Sequence, residues 1–522
     1  MEWNRELALL SNAQMYQADS LTMELGISGA RLMDEAGRGI AEAVMARFAV
    51  DGGAPGKTIV LCGGGNNGGD GYVIARYLRE AGWPVDVAQY GATSDLPGDA
   101  ALAAGQWIKD GKTTVAPLGA EVIADAAIVI DSLLGAGLAR PVEGVIAETI
   151  EAVNASDAAV VAVDIPSGIS GDSGQVLGTA IQADLTVTFF RGKRGHALAP
   201  GRFHCGEIVV IDIGIPPGTL DELDITTYAN HPWLWRGDMP ALEPTHHKYD
   251  RGLAYVVGGG LGKSGAARLA ARAALRTGAG LVTTLCPTEA LEEYASQQTA
   301  VMNAGFEDLA GFEELIAREQ LRAIAIGPGN GVDEATRQRV LAVLARGLPT
   351  VLDADAISVF ADRPGELFEA IFEATAGPTV ITPHMGEFKR LFPDIDLSDK
   401  VAAATAAAKC SGAVIILKGP DTVIASGLGG AGGAGKAIIN AHAPATLATA
   451  GAGDVLAGIV TGLLAQGMEA FASAAMATWL LGEAAYGAGA RGIIAEDLVE
   501  AIPAALTAAL EEDGEGEFPP RE

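Results

Sequence analysis

Cysteine is scarce: Cys62, Cys205, Cys286 and Cys410 are the four in 522 residues, far apart and without a Cys-x-x-Cys pair. This excludes a disulfide framework and a zinc-ribbon site, and free buried thiols in a reducing compartment are expected. Basic residues are also few. With 35 Lys and Arg against 65 Asp and Glu, the formal charge is −30. Such a surface repels nucleic-acid phosphates and anionic membranes, so neither is an expected partner. Charged residues reach only 19% against 49% hydrophobic, which excludes charge-driven disorder and leaves a large core to bury. No apolar stretch of about 20 residues is free of Gly, Pro or charge, so no membrane-spanning helix is expected. The opening MEWNRELALLSNAQ lacks the basic, apolar and small-residue order of a signal peptide. A cytoplasmic location is expected.

Glycine, by contrast, is abundant, with 69 residues in no fixed period, which points to Gly-rich functional loops rather than a fibrous repeat. At about 150 residues per domain, two or three domains are expected. Short apolar β-branched runs alternate with Ala-rich helical stretches, the pattern of parallel strands covered by helices on both faces, so the fold class is α/β. Strands are expected at 58–62, 85–89, 127–131, 159–164, 185–189 and 208–211, then at 254–257, 281–285, 323–326, 350–352, 379–381 and 414–417, with three helices from Asp454 onward. Around residues 221–250 the periodicity breaks among prolines and histidines. The expected division is a first domain over 1–222, a linker over 223–245, a second domain over 246–510 and a disordered acidic tail over 511–522.

The first Gly-rich loop, CGGGNNGGDG, follows a strand and precedes a helix expected to begin at Tyr72. In an open parallel sheet ligands bind at such strand ends. Gly63, Gly65 and Gly68 satisfy Gly-x-Gly-x-x-Gly, and Asp86 follows at about the distance of a ribose-binding acid. Against a dinucleotide fingerprint, Asn66 and Asn67 occupy the tip, and Gly69-Asp70-Gly71 prolongs the turn; a plain tight turn is the other reading. Two further strand ends, IDSLLGAGLARP and VDIPSG, carry Asp131 and Asp164. One carboxylate with neutral oxygens suits a monovalent cation better than Mg²⁺. Lys193 follows the next strand. An acid and a lysine at neighbouring strand ends can shuttle a proton or form an ordinary ion pair.

In the second half GLGKSG resembles a P-loop, but the pattern needs Gly where Val257 stands, and a P-loop is rejected. Later come GPGNG, DADAIS, TPHMGE, KGPDT and ATAGAGDVLAG. Gly451 and Gly453 precede a helix expected near Asp454, where free N–H groups and the helix dipole can hold phosphate. Asp454 can take a proton from a hydroxyl attacking a phosphoryl group, or simply cap the helix. His231, His246 and His247 read as solvated linker, whereas His384 at a strand end reads as a substrate contact.

Taken together, NNGGDG, the Asp-Ser-Leu-Leu-Gly-x-Gly run, DIPSG and Lys193 resemble the epimerase domain of NAD(P)H-hydrate repair enzymes over about residues 10–220. The motifs HKY-x-RG, GPG, TPHxGE and GDVLAG are similar to the ADP-dependent dehydratase branch of the ribokinase-like fold over about residues 235–510. The resemblance implies an N-terminal Rossmann-like three-layer sandwich and a C-terminal ribokinase-like domain. In the first it implies substrate binding at Asn66, Asn67, Gly68, Gly69 and Asp70, at Gly135, Ala136, Gly137, Leu138, Ala139, Arg140 and Pro141, and at Asp164. It implies K⁺ at Asn67, Asp131 and Ser167, with Asp164 and Lys193 as the acid–base pair. In the second it implies substrate contacts at Ala266, Gly329, His384 and Asp454, with Asp454 catalytic. It places the adenine nucleotide at Lys418, Gly419, Pro420, Asp421, Thr422 and Gly453, and Mg²⁺ near Glu387. Two departures stand out: Ala452, where Thr or Ser is common, and Ala443, where Gly is expected.

The implied reactions begin with water added at C6 of the nicotinamide ring of NADH or NADPH, giving two epimers (NADHX and NADPHX). The first domain would interconvert them, and the second would dehydrate the S epimer with ADP as co-substrate, releasing AMP and phosphate. A homo-oligomer is expected. A dehydrogenase built on Gly63, Gly65 and Gly68, a small-molecule kinase on the second domain, and a nucleotide-binding regulator without turnover are the other readings.

Overall fold

A computed structural model describes residues 1, 3–50, 52–109, 114–374, 377–427 and 435–511. The chain divides into two compact units, with the break between Thr227 and Tyr228; residues 1–4 belong with the second unit. The tail expected over 511–522 falls outside the described residues after Glu511.

The first unit is built on a sheet of β1 Lys57–Cys62, β2 Val85–Gln89, β3 Val115–Pro117, β4 Ala126–Ser132, β5 Ala159–Val163, β6 Leu185–Phe189 and β7 Glu207–Ile211, in the order β3-β2-β1-β4-β5-β6-β7. All of these pairs are parallel. Alternate residues Ile59, Leu61, Val129, Val160 and Ala162 join Ile146, Ile150 and Val153 of the helix Gly144–Asn154 in one core. The intervening Val60, Ile130 and Val161 are equally buried. Since successive strand residues face opposite sides, both faces are covered and the unit is a three-layer Rossmann-like sandwich. The order reverses between β1 and β4, where a crevice for ligands is expected.

The second unit carries β8 Thr227–Ala229, β9 Leu253–Val257, β10 Leu281–Pro287, β11 Met302–Phe306, β12 Leu321–Ile326, β13 Thr350–Leu352, β14 Thr379–Ile381, β15 Val414–Leu417, β16 Thr422–Ser426 and β17 Ala437–Asn440. Their order is β11-β10-β9-β12-β13-β14-β15-β16-β17-β8. From β11 to β15 the pairs are parallel; β16 runs antiparallel to both β15 and β17. This is a ribokinase-like α/β unit. Its switch point lies between β9 and β12. The helix Ala470–Ala488 is buried nearly all round, as its uniformly apolar sequence requires. Among the described residues no helix is long and apolar enough to cross a membrane.

Several expectations need correction. The helix after β1 begins at Asn66, not Tyr72. Its first turns are glycine because a side chain on Gly68 would meet the Gly63 carbonyl oxygen at 2.0 Å. Asp86 lies near the start of β2, exposed and 3.3 Å from Lys57; the residue at the ligand end of β2 is the buried Gln89. Strands β3, β8, β11, β16 and β17 were not expected from the sequence; β3 and β8 are three residues long and β11 carries a Gly. Residues 223–245 hold β8 and the short helix Pro232–Trp235. His231 is buried there, accepting from Trp233 N–H, rather than solvated. Cys410 is exposed, unlike the other three cysteines.

The helices Gly265–Arg276 and Ala452–Ala465 meet without intervening side chains: a Cβ on Gly458 would lie 2.2 Å from the Ala270 carbonyl oxygen. Gly458→Ala is therefore expected to cost about 1–3 kcal/mol through overpacking. Calorimetry should show a lowered unfolding temperature.

Candidate functional sites

In the first unit the loops after β1 and β4 approach backbone to backbone, since a Cβ on Gly63 would sit 1.8 Å from the Leu133 carbonyl oxygen. Gln89 locks this junction by donating to the Gly63 carbonyl (3.1 Å) while accepting from the Tyr72 hydroxyl (2.8 Å). Asn66 is exposed, Asn67 is half-buried, and Gly68, Gly69 and Asp70 are buried in the helix start. Across the junction, Gly135, Ala136 and Leu138 are partly or fully covered, whereas Gly137, Ala139, Arg140 and Pro141 are exposed. A Cβ on Gly135 would lie 3.5 Å from the Asn67 side chain, so these two predicted segments come together.

Asp131 and Ser167 are neighbours. Ser167 donates its N–H to Asp131 Oδ2 at 2.7 Å and its hydroxyl to Oδ1 at 2.6 Å. Burial pushes the Asp131 carboxyl up to about 6, against the lowering by the Ser167 and Leu133 hydrogen bonds. Asn67 Nδ2 is buried without a hydrogen-bond partner. A buried carboxylate with bonded neutral groups and no basic side chain against it fits a single positive charge.

Asp164 leaves β5 with φ at 68°, a left-handed conformation that is costly outside glycine. That geometry turns its carboxylate onto Lys193, with Oδ1 2.6 Å from Nζ. Thr188 donates to the same Oδ1 at 2.9 Å and lies 2.7 Å from Nζ. Burial alone would raise the Asp164 carboxyl, but Lys193 outweighs it and holds the group below its usual value. His196 completes the cluster. Its Nδ1 accepts from Lys193 N–H at 3.0 Å, so Nε2 carries the proton donated to the Asp164 carbonyl at 2.8 Å. Burial and then Lys193 lower His196 to about 4, so it stays neutral. Asp70, buried and near Asp164 and Asp19, is held well above its usual value.

In the second unit the turns after β9 and β12 make the corresponding approach: a Cβ on Gly259 would lie 2.0 Å from the Gly329 carbonyl oxygen. Gly329 itself has φ at 73°. Glu293 braces the first turn, accepting from Gly262 N–H (2.9 Å) and the Ser264 hydroxyl (2.5 Å). Ala266 sits half-buried at the start of the following helix.

At the ends of β13, β14 and β15 the sheet gathers Asp353, His384, Glu387 and Lys418. Lys418 pairs with Asp353 at 2.8 Å, and Thr382 donates to the same carboxylate oxygen at 2.6 Å. Burial is the largest single influence and works against the Lys418 charge, but Asp353, Glu387 and Asp454 together keep the ammonium above its usual value. The helix Ala452–Ala465 opens on Gly451 at φ 91°, with Asp454 in its first turn. A Cβ on Gly453 would lie 3.4 Å from Lys418 Nζ, so the lysine reaches the helix N-terminus. Burial, then Asp353, push the Asp454 carboxyl up to about 6 against the pull of Lys418.

Two predicted residues are committed elsewhere. Asp421 buries its carboxylate on Lys400, at 2.5 Å, and Lys400 also donates to the Asp421 carbonyl at 2.9 Å. In the same segment Gly419 and Pro420 are exposed, and the Thr422 hydroxyl donates to the Gly419 carbonyl at 2.9 Å. Glu387 uses Oε2 to accept from His384 N–H at 2.9 Å, capping its helix. Its Oε1 lies 3.5 Å from His384 Nε2, while the His384 side chain is 55% exposed. Asp353 was not selected from the sequence, although its place in DADAIS at a strand end was a usable signal. His196 and Asp19 had no such signal.

The two sites, one around a buried acid–lysine pair and one around a helix N-terminus with an aspartate, define a two-unit α/β enzyme with its chemistry at strand and helix ends. A family model described as YjeF-related protein N-terminus matches residues 29–195, and one described as NAD(P)H-hydrate dehydratase matches residues 254–504. A bifunctional NAD(P)H-hydrate repair enzyme of Salinibacter ruber is 36% identical over 97% of each chain. One of Moorella thermoacetica is 35% identical over 95% of this chain and 96% of its own. An ADP/ATP-dependent NAD(P)H-hydrate dehydratase of Bacillus subtilis, crystallised with ATP and Mg²⁺, covers 54% of this chain and 98% of its own at 26% identity and a TM-score of 0.46. The chain belongs to the family of bifunctional NAD(P)H-hydrate repair enzymes.

Asp454→Asn is expected to raise stability at pH 8 by about 3 kcal/mol, the cost of ionising a carboxyl raised from its usual value to about 6. The folded-state value is raised, so the wild-type penalty exists only above the unfolded value. The gain shrinks below pH 6 and vanishes below about pH 4, where the carboxyl is protonated in both states. Denaturant titrations at the two pH extremes check this.

Proposed function

We propose that the chain restores hydrated NADH and NADPH in two steps divided between its units, with epimerisation in the region 1–222 and ADP-dependent dehydration of the S epimer in the region 246–510. The observation that carries the reading is Asp454: a carboxyl raised to about 6, in the first turn of a helix whose N-terminus Lys418 also reaches. A carboxylate of that basicity can accept a hydroxyl proton where phosphate charge is held.

In the dehydratase unit, Asp454 takes the proton of the C6 hydroxyl as its oxygen attacks the terminal phosphoryl group of ADP. The bond to AMP breaks. The N–H groups of Gly453 and Asp454, which have no partner one turn earlier within the helix, and the Lys418 ammonium receive the developing charge. Phosphate then leaves C6 with the bonding pair, pushed by the ring nitrogen, and loss of a C5 proton to the departing phosphate or to water restores the dihydronicotinamide. Gly329, Ala266 and His384 are assigned to the ring and its substituents. The nucleotide lies along Lys418 to Thr422; with Asp421 engaged on Lys400, the backbone of that segment makes the contacts. Glu387 Oε1, free of the cap, fits a water-mediated Mg²⁺ contact, and the ion would neutralise phosphate oxygens.

In the epimerase unit the segments 66–70 and 135–141 hold the nucleotide, and Asp164 with Lys193 orients the C6 hydroxyl as it departs and returns. Asp131 and Ser167, with Asn67 beside them, fit K⁺, which would fix the loop ends in place. The reading includes a cytoplasmic setting, where thiols such as Cys62 and Cys205 stay reduced, and a homo-oligomer.

The test mixes the protein with both epimers of NADH hydrate, K⁺, Mg²⁺ and either ADP or ATP, and follows dihydronicotinamide absorbance. Full recovery with ADP is expected, no recovery with Asp454→Ala, and only the S fraction at short times with Asp164→Ala. No recovery with either nucleotide overturns the reading and favours a small-molecule kinase.

A further inference from the structure

The helix Asn12–Glu24 precedes the first matched segment, which starts at residue 29. It nevertheless sits at the proposed epimerase site. Leu10 N–H donates to the Gly192 carbonyl at 2.9 Å, and Arg194 N–H donates to the Leu10 carbonyl at 3.3 Å, which anchors the chain on either side of Lys193. At the helix start Asn12 Nδ2 donates to the Ala136 carbonyl at 2.7 Å, and Asn12 Oδ1 is buried without a partner. One turn on, a Cβ on Gly137 would come within 2.7 Å of the Tyr16 hydroxyl. Asn12, Tyr16 and Asp19 are spaced four and three residues apart, so they share one face of the helix. Asp19 thus continues the row that touches the 135–141 loop. It is half-buried and feels the charges of Lys193 and Asp164, and in turn acts on Asp70.

Loss and return of the C6 hydroxyl need a group that is protonated when the oxygen leaves. Asp164 is unsuited, because Lys193 holds it as an anion. Asp70 is buried in the helix start, where burial and the nearby Asp164 and Asp19 raise its carboxyl, and it has little access to solvent for proton exchange. Burial, and then Asp164, push Asp19 up to about 6 against Lys193, so both of its forms are populated near neutrality. Its partial exposure lets it exchange protons with solvent. On its outer sides the helix meets Asp172, which accepts from Asn12 N–H at 2.8 Å, and the Glu222 and Asp224 carbonyls, which accept from Gln17 and Gln14.

The geometry points to Asp19 as a further catalytic residue of the epimerase site. Its carboxyl gives a proton to the departing C6 hydroxyl; the C6–O bond breaks with its electron pair on oxygen, releasing water and leaving a cation conjugated with the ring nitrogen. Water then adds to the opposite face of C6 and returns its proton to the Asp19 carboxylate. No oxidant or reductant is consumed. This inference rests on the epimerase reading of the unit.

Conversion of purified R epimer to S, followed by chromatography on the full chain with K⁺ and without ADP, tests it. Recovery of NADH from the S epimer with ADP serves as the separate control. Asp19→Asn is expected to slow R-to-S conversion about 100-fold, with S-epimer recovery unchanged, and Asp19→Glu to restore part of the rate. Wild-type conversion should fall about tenfold per pH unit above pH 6, and Asp19→Asn should lack that limb. A wild-type rate and pH profile in Asp19→Asn would overturn the proposal. Should that variant melt early, Asp19→Glu decides: a displaced pH limb supports the role, and an unmoved one overturns it. Absence of any R-to-S conversion by the wild type sinks the epimerase reading itself, an outcome distinct from a silent Asp19.

Discussion

Two loops can meet at a switch point only if neither projects a side chain into the other, and in both units a glycine satisfies that condition. Gly63 lies against the Leu133 carbonyl and Gly259 against the Gly329 carbonyl, at separations where a Cβ has no room. What each unit can bind follows from this contact. In the first it lets the helix begin at Asn66, bringing Asn67 beside Gly135. In the second it closes the turns after β9 and β12, while Gly458 and Gly462 allow the helix that carries Asp454 to pack directly on the helix after β9. Much of the glycine surplus therefore serves close approach of backbones rather than loop mobility.

The charges follow a second common rule. In the buried part of each site one lysine is paired with one carboxylate, Lys193 with Asp164 and Lys418 with Asp353, while a further aspartate stands close enough to feel both. For Asp164 burial is opposed by Lys193, His196 and Thr188 together, and the carboxyl stays below its usual value. The neighbouring one feels a like charge in addition to burial, so Asp19 and Asp454 are both pushed up to about 6. Crowding carboxylates around a single ammonium in a poorly solvated pocket is thus enough to create a proton carrier near neutral pH. Asp131 reaches a similar value by burial alone, without a lysine, which is the setting a cation would relieve.

Where local spacing carried the signal, the residues could be read directly. The Gly-rich loops, the acids ending β4 and β5, Lys193 and the Gly451–Asp454 turn all lie at strand or helix ends, where an α/β sheet places ligands. Other features were invisible for identifiable reasons. β16 and β17 pair antiparallel beside a parallel sheet, and short apolar runs do not encode direction. The engagement of the Asp421 carboxylate on Lys400, twenty-one positions earlier, likewise left no local signal. His231 read as solvated linker because no Cys or carboxylate pattern near it completes a ligand set, yet it is buried and packs edge-on against Trp233.

The sequence by itself determined the α/β class and the Gly-rich turns at strand ends, because periodicity and glycine placement act over a few residues. Tertiary structure alone decided which carboxylates are paired and which are left to titrate. That choice depends on side chains such as Asp19 and Lys193, or Asp454 and Lys418, which lie far apart in the chain and share a pocket only after strands distant in sequence become neighbours in the sheet.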